Sequence, residues 1–226
     1  MTTTTRRSGR RADGLSKERI VEAAIDILDT GGEHALTFRS LAARLATGSG
    51  AIYHHVANKD ELLAAATDAI IARVVVDTAE AATPRDTIRA LALGVFDAID
   101  AHPWAGAQLS REPWQSAMLR IFEGMGAQVQ ALGVPEHAQF DCASALVNYL
   151  LGLAGHYAAA ARLVPPDTDR TAFLATVAAE WARLDADRHP FVHRIAAQLR
   201  DHDDREQFLA GIDLILGGID TLRHKQ

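Results

Sequence analysis

The amino-acid sequence predicts an all-α protein, and three observations lead to that prediction. Nearly every segment with periodic apolar residues follows the 3.6-residue repeat of a helix, and no run alternates apolar and polar residues as a half-buried strand would. Prolines stand at or just before the start of several of these segments, where helices favour them. A hydrophobic content of 48% with 23% charged residues is typical of a globular protein with a sizeable core.

The architecture expected from these patterns has two parts. We expect an N-terminal three-helix bundle with a helix-turn-helix, followed by a larger C-terminal helical bundle, with about nine to ten helices. The predicted domains are a flexible basic arm at 1–14, a helix-turn-helix domain at 15–62 and a larger domain at 63–226.

The N-terminal part contains start signals for four helices, because a Ser, Thr or Asn suited to capping precedes three of them. The expected spans are Ser16 to Gly31, Thr37 to the break at 46–48, Ser49 to His55, and Asn58 to a point before Pro84. Beyond Pro84 the helices are punctuated by further prolines, and the best candidate for a flexible loop is Pro165 to Arg170.

Two late helices carry apolar residues at alternating spacings of three and four, the pattern of helices that pack at shallow angles. The first stripe comprises Phe140, Ala143, Val147, Leu150, Ala154, Tyr157 and Ala161. The second comprises Phe208, Ile212, Ile215, Ile219 and Leu222. Each stripe predicts either core packing within one subunit or a four-helix interface between two subunits.

Charge is distributed unevenly along a chain whose net charge is −6. Residues 1–59 hold nine Lys and Arg against six Asp and Glu, while the remainder holds 14 against 23. A basic end on an acidic body favours approach of that end to a polyanion.

Neither a secretory signal nor a membrane span is predicted, so a cytoplasmic protein is expected. The most apolar window, 143–161, is interrupted by Ser144, Asn148 and His156, which favours a buried bundle helix. The single cysteine, Cys142, allows no internal disulfide and is expected to be an inert core thiol.

The strongest functional pattern lies between Leu36 and Leu63, where two short helices are separated by a tight turn. The apolar residues expected to hold them together are Leu41, Leu45, Ile52 and Val56. This arrangement offers the second helix to the major groove of DNA. Side chains in position to contact DNA are Arg39, Ser49, Tyr53, His54, His55 and Lys59.

This segment resembles the tetracycline repressor family. The resemblance is carried by the Leu-Ala-Ala-Arg-Leu run at 41–45 and above all by Tyr53, His55, Asn58 and Lys59 in a Tyr-x-His-x-x-Asn-Lys run. The segment 207–219 is similar to the last helix of the tetracycline-repressor branch itself. The resemblance implies a homodimeric transcription factor that binds double-stranded operator DNA and a small-molecule effector.

Carried over residue by residue, the resemblance implies roles in DNA binding. The implied phosphate contacts come from Thr37, Tyr53, His55 and Lys59, and the implied base contacts from Arg39, Ser49, Gly50 and Ala51. Three departures are Ala46 in place of the usual turn glycine, Thr47 in place of an apolar residue, and the short Ser49. We therefore expect sparse direct readout by this helix, with specificity coming from Arg39, Tyr53, thymine methyl contacts and DNA shape.

Two alternatives stay open for the arginines of the N-terminal arm. They can enter the adjacent minor groove, or they can belong to a solvated tail. These residues are Arg6, Arg7, Arg10 and Arg11.

Polar or aromatic residues on otherwise apolar stripes are the candidate effector contacts, each weighed against simple core packing. They are Phe96, His102, Trp104, Trp114, Met118, Phe122, Asn148, Tyr149 and Trp181. His102 corresponds to a histidine that binds drug-bound magnesium in tetracycline repressors, but the following Pro103 and Trp104 depart from that pattern. Val75 stands near where another drug-contacting histidine is expected. The sequence therefore favours an apolar or aromatic effector over a tetracycline–magnesium complex.

Metal and enzyme functions find little support, and neither a cofactor nor a metal is expected. The adjacent His54 and His55 point about 100° apart on a helix, and His189 and His193 lack an accompanying carboxylate motif. Nucleophile elbows, phosphate-binding glycine loops and dinucleotide fingerprints are missing from the sequence.

The function predicted from the whole sequence is that of a repressor released from a palindromic operator by a small, largely apolar or aromatic effector. The homodimer is expected to form through helices near 138–162 and 204–222. The alternative is a helical small-molecule carrier or interaction protein without specific DNA binding.

Overall fold

The computed structural model describes residues 15–78, 82–111, 115–163 and 169–223, and within these ranges it contains eleven α-helices and no strand. It says nothing of the side chains of 154, 157–163 and 223. The predicted N-terminal arm, Trp114 and most of the predicted loop at Pro165 to Arg170 fall outside the described residues. The all-α prediction is confirmed.

The helices fall into an N-terminal group of three short or medium helices, one long connecting helix and a C-terminal group. The first four are α1 Lys17–Ala35, α2 Phe38–Arg44, α3 Ser49–Tyr53 and α4 Lys59–Asp77. The others are α5 Pro84–Ala101, α6 Pro103–Arg111, α7 Ser116–Ala131, α8 Glu136–Leu163, α9 Arg170–Ala182, α10 Pro190–Ile195 and α11 Asp204–Arg223, with a 3-10 segment Ala196–Asp201 before α11.

The predicted helix caps are confirmed at the hydrogen-bond level. Ser16 accepts from the amide of Arg19, and Asn58 accepts from the amide of Glu61. Thr37 accepts from the amide of Ser40, whose hydroxyl in turn accepts from the amide of Thr37. These caps satisfy amides that have no partner inside the helix, and they fix where each helix starts.

Glycine and proline also act as the sequence predicts. Gly32 interrupts α1 with a φ of 67°, a conformation that glycine adopts without a steric penalty. Pro84, Pro103 and Pro190 each open a helix. Within the described ranges, no helix is both long and apolar enough to cross a membrane.

Two hydrophobic cores divide the molecule, and α4 belongs to both. The head core is built mainly from α1 to α4 and extends along α4 to Ile70. The body core begins at the next residue, Ile71, and includes α5, α7, α8 and α11. We call these two parts the head and the body. The predicted domain boundary at 62 stays a prediction, and the head core reaches eight residues past it.

The described members of the apolar stripes of α8 and α11 are buried or pack against the body core, apart from Phe140, while the side chains of Ala154, Tyr157 and Ala161 fall outside the description. Val147 and Leu150 of α8 are buried, as are Phe208, Ile212 and Ile219 of α11. These five residues therefore pack in the core of one subunit, which is the first of the two predicted alternatives. Phe140 is an exception, because 70% of its surface is exposed.

Candidate nucleic-acid interface

The helix-turn-helix is held together by apolar side chains of α2, α3 and the segment after α3. Leu41 and Ile52 are fully buried, Val56 is 1% exposed, and Leu45 packs partly buried against the same core. Because α3 has only five residues, its orientation depends on this packing rather than on its own hydrogen bonds. The sequence predicted this set of contacts.

The turn between α2 and α3 is tight and strained at one residue. Ala46 has a φ of 50°, which places a Cβ-bearing residue in the left-handed region. The turn is closed by the amide of Thr47, which donates to the carbonyl of Ala42 over 3.0 Å. Gly48 is the N-cap of α3 and makes no side-chain bond there.

The outer face of α3 is small and open. Ser49 and Gly50 are exposed, Ala51 is partly exposed, and a Cβ added at Gly50 meets no atom within 4 Å among the described residues. A surface without long side chains lets the helix backbone approach a groove closely, but offers few groups to hydrogen-bond base edges.

Longer side chains surround this face. Tyr53 is 54% exposed, and its ring stacks on Phe38 with centroids 4.2 Å apart and planes 6° apart. This stacking holds one face of the ring while more than half of the residue stays exposed. Arg39 is exposed and makes no hydrogen bond or ion pair within the described ranges, so its guanidinium is available. His54 is exposed and His55 is partly exposed.

Two of the predicted DNA contacts are already engaged inside the head. The hydroxyl of Thr37 takes part in the α2 cap. Lys59 Nζ donates to the backbone carbonyl of Glu33 over 2.5 Å. Beside it, Glu61 accepts from the amide of Ala57 over 2.8 Å and pairs with Lys17, and these contacts lower the pKa of Glu61. The start of α4 is thereby tied to the end of α1 and to the segment after α3.

The predicted effector contacts do not converge on one site. Phe96 and Met118 are buried in the body core. The Phe208 ring stacks between those of Phe96 and Tyr149, at centroid distances of 5.0 and 5.6 Å. Burial also raises the pKa of the Tyr149 phenol, whose hydroxyl donates to the carbonyl of Phe208. These three rings form one aromatic cluster.

The remaining candidates lie apart from that cluster. Phe122 packs against Phe140, Asn148 is exposed on α8, and Trp181 lies on α9. Trp114 is outside the described residues. The effector role of all of these residues stays a prediction.

His102 and Trp104 contact the head. Nδ1 of His102 lies 2.7 Å from Oδ1 of Asp29 in α1, and Nε1 of Trp104 lies at the same distance from that oxygen. At the end of α6, Arg111 binds the carboxylate of Glu33, which lies one helical turn after Asp29 in α1. Asp29 and Glu33 were not predicted as functional residues, because these partners lie more than 70 residues away and the two acids resemble ordinary surface residues of an amphipathic helix.

Two clefts are formed by described residues. One of about 370 Å³ lies between the end of α4, the start of α5 and α7, and includes Thr78, Thr87 and Gln128. Another of about 420 Å³ lies between α1, α4 and the first residue of α7, and is lined by several acids. Neither contains a predicted effector contact. No group of three potential metal ligands occurs among the described residues.

Comparison with known proteins identifies relatives of both the head and the whole chain. The family model described as bacterial regulatory proteins, tetR family, matches residues 20–66. An HTH-type transcriptional regulator of Saccharopolyspora erythraea is 32% identical over 140 residues, which cover 61% of this chain and 59% of that protein. The chain thus aligns with less than two thirds of that relative's length.

Two solved structures from Streptomyces coelicolor match over most of the chain. The transcriptional regulator SCO7222, described as a TetR, is 54% identical with a TM-score of 0.84, and the match covers 93% of this chain and 100% of that one. The TetR family protein ActR in complex with actinorhodin is 22% identical with a TM-score of 0.76, and the match covers 93% and 98%. At 22% identity the likeness concerns the fold alone.

Proposed function

The chain belongs to the tetR family of bacterial regulatory proteins, which are transcriptional regulators and not enzymes, and on this basis we propose that it is a dimeric repressor. It leaves a palindromic operator when a small, largely apolar or aromatic effector binds the body. The observation that carries this proposal is the geometry of the helix-turn-helix, in which buried Leu41, Ile52 and Val56 present the open face of α3 to a groove.

Within this proposal the contacts divide into two kinds. Tyr53, His55 and Lys59 bind phosphates, with Thr37 placing the start of α2 against the backbone. Arg39 reads base edges beside Ser49, Gly50, Ala51 and His54, because its guanidinium has no hydrogen bond or ion pair within the described part of the chain. The held ring of Tyr53 supports this division, since an ordered side chain loses little entropy on binding.

The proposed effector site lies in the body. Support comes from the aromatic cluster of Phe96, Tyr149 and Phe208, which suits a ligand with flat apolar surface. The Oε1 atom of Gln115 is buried and has no hydrogen-bond partner among the described residues, so a ligand donor that reached it would satisfy it. ActR, a protein of the same fold, has been solved with a bound ligand, actinorhodin.

The proposed dimer forms through the outward faces of α8 and α11 rather than through their apolar stripes. Exposed residues on these faces recur at helical spacing and are mostly small. They are Asp141, Ala145, Asn148, Gly152 and His156 on α8, and Ala210, Leu214, Gly217, Gly218 and Thr221 on α11. Small residues allow two helices to approach closely, and Leu214, 79% exposed, would be covered by such an approach.

The experiment that tests the proposal is selection of bound duplexes from a random library, followed by sequencing. We expect a palindromic consensus from the wild-type chain, with affinity reduced by roughly tenfold or more in Arg39→Ala and Tyr53→Ala. Arg194→Ala, which alters a basic residue of α10 in the body, is the matched control and should bind like the wild type.

Salt dependence separates the proposal from its alternative. A regulator should lose affinity steeply with added salt, and the slope should become shallower by about one in Lys59→Ala because one phosphate contact is lost. Binding that is weak, indifferent to sequence and unchanged in these variants would instead favour the carrier without specific DNA binding.

A further inference from the structure

Helix α6 lies across the junction of head and body. Ala105, in its first turn, belongs to the head core, whereas Leu109, one turn later, belongs to the body core. Their exposed fractions are 1% and 0%. Trp104 also packs against the head core. A displacement of α6 relative to the body therefore moves a surface on which the head rests.

Polar contacts join α6 to the last turns of α1 at two points. The indole Nε1 of Trp104 donates to Oδ1 of Asp29 over 2.7 Å, and Nδ1 of His102 lies at the same distance from that oxygen. Arg111 donates to both carboxylate oxygens of Glu33, through Nη1 at 3.3 Å and Nη2 at 3.1 Å. Hydrogen bonds to a charged acceptor are short and directional, so two such points define an orientation and not only a contact.

The side chains at the first of these points are partly shielded from water. The exposed fraction is 24% for the His102 side chain and 33% for that of Asp29. By contrast, Arg111 and Glu33 are exposed by 49% and 41%. Because solvent weakens exposed charge pairs, the bonds to Asp29 contribute more to positioning than the pair at Glu33.

The same end of α1 contacts the start of α4. The carbonyl of Glu33 accepts the bond from Lys59 Nζ described above, and Lys59 is one of the proposed phosphate contacts. A continuous series of bonds thus leads from α6, through Asp29 and Glu33, to the DNA-binding surface.

We propose that Asp29 and Glu33 are positioning residues: they bind side chains of α6 and thereby fix the orientation of the head on the body. A head that these bonds hold in one orientation presents α2 and α3 to DNA in one placement. The consequence for DNA rests on the proposed function, but the orientation itself can be measured in the protein alone.

The test is a distance measurement between two nitroxide labels on one chain, at Ala43→Cys in the head and Glu123→Cys in the body. Both positions are exposed, whereas Cys142 is buried and its thiol pKa is raised by burial, so it stays unlabelled. Dilution with unlabelled chain ensures that each measured pair lies in one subunit. Trp104→Phe removes only the indole donor, and Asp29→Ala removes the carboxylate that both Trp104 and His102 contact.

We expect one narrow distance distribution in the otherwise unaltered chain and a broadening by about twofold in Trp104→Phe and Asp29→Ala. The matched control is Asp97→Ala, which removes a carboxylate that binds Arg205 inside the body, and it should leave the distribution narrow. Operator affinity should fall by roughly 3- to 10-fold in the two test variants and not in the control, because a loosely held head loses more entropy on binding.

Equal distributions in all the chains would overturn the proposal, as would broadening without a loss of operator affinity. If the unaltered chain selects no specific duplex, the proposed function fails instead, and the distance measurement then decides the positioning role alone.

Discussion

At the scale of single residues, the turn of the helix-turn-helix carries backbone strain in a place that bears directly on DNA binding. Ala46 has a φ of 50°, and a Cβ in that conformation crowds the neighbouring carbonyl oxygen. The packing of Leu41 and Ile52 on either side of the turn holds the residue there. The burial of Leu41 and Ile52 therefore offsets the backbone strain at Ala46, which remains in the folded protein.

Replacing Ala46 with glycine should stabilise the protein. Glycine adopts positive φ without crowding, so we expect Ala46→Gly to raise the free energy of unfolding by about 1 kcal/mol, measured by urea denaturation. Ala43→Gly, inside α2 and also exposed, should lower it by about 1 kcal/mol because glycine weakens a helix. Destabilisation by both substitutions would show that the turn is not strained at Ala46.

Glu61 gives the head a pH-dependent contribution to stability. The hydrogen bond from the amide of Ala57 and the contact with Lys17 lower the pKa of Glu61 in the folded state. A carboxyl group whose folded pKa is lowered stabilises the protein above its unfolded pKa, near 4.3, and loses that contribution as the pH falls through the folded value.

We therefore expect Glu61→Gln to lower the thermal midpoint at pH 7 and to have progressively less effect below about pH 4. Glu123→Gln, which alters an exposed acid of α7 without a partner in the described chain, should have little effect at either pH. A destabilisation by Glu61→Gln that is constant across this range would contradict the pKa shift.

At the scale of helices, α8 and α11 are positioned by a close approach at Gly211. A Cβ placed there would overlap the ring of Tyr149, which itself stacks on Phe208. The ring therefore lies where any larger residue of α11 would be, and glycine is required at this point of the helix.

Gly211→Ala should destabilise the protein although alanine favours helix formation. Overpacking costs about 1 to 3 kcal/mol, and the gain in helix propensity offsets about 1 kcal/mol of it. Gly126→Ala in α7 is the matched control, because its Cβ meets no described atom within 4 Å, and it should stabilise by about 1 kcal/mol. If Gly211→Ala and Gly126→Ala changed the free energy of unfolding equally in urea denaturation, the close contact at Gly211 would be excluded.

The helices show clearly what the sequence could and could not predict. Starts were predictable because Ser16, Thr37 and Asn58 act locally, within three residues of the amides they cap. The face that α11 turns to solvent was not predictable. Leu214 is as apolar as the buried Ile212, and only tertiary packing distinguishes the two.

In the candidate site, too, local features were predictable from the sequence and long-range contacts were not. The motif from Tyr53 to Lys59 predicted the surface that α3 presents, since those residues are close in sequence. The bonds of His102 and Trp104 to Asp29 join residues more than 70 positions apart, and a composition or spacing pattern carries no trace of them.

At the scale of the whole molecule, the proposed dimer predicts a change of assembly from one substitution. Leu214→Glu places a charge on the exposed face of α11, where a second subunit would have to bury it. We expect the variant to sediment as a monomer and to bind its operator at least about 10-fold more weakly, because two linked heads bind with higher avidity than one.

Leu119→Glu is the control for that experiment. Leu119 lies on α7 and is 59% exposed, so the new charge stays in water and the dimer should persist. A Leu214→Glu variant that remains dimeric would place the interface elsewhere on the molecule.

Helices α4 and α6 contribute side chains to both cores, and this limits how related regulators can exchange their DNA-binding parts. A chimera joined at residue 62 or 63 would take a head whose core still requires Ile70 from α4 and Ala105 from α6. The foreign body would have to supply a matching surface at both places. Exchange of DNA specificity between relatives should therefore succeed by grafting the outer residues of α2 and α3, and fail by transplanting the N-terminal segment as a module.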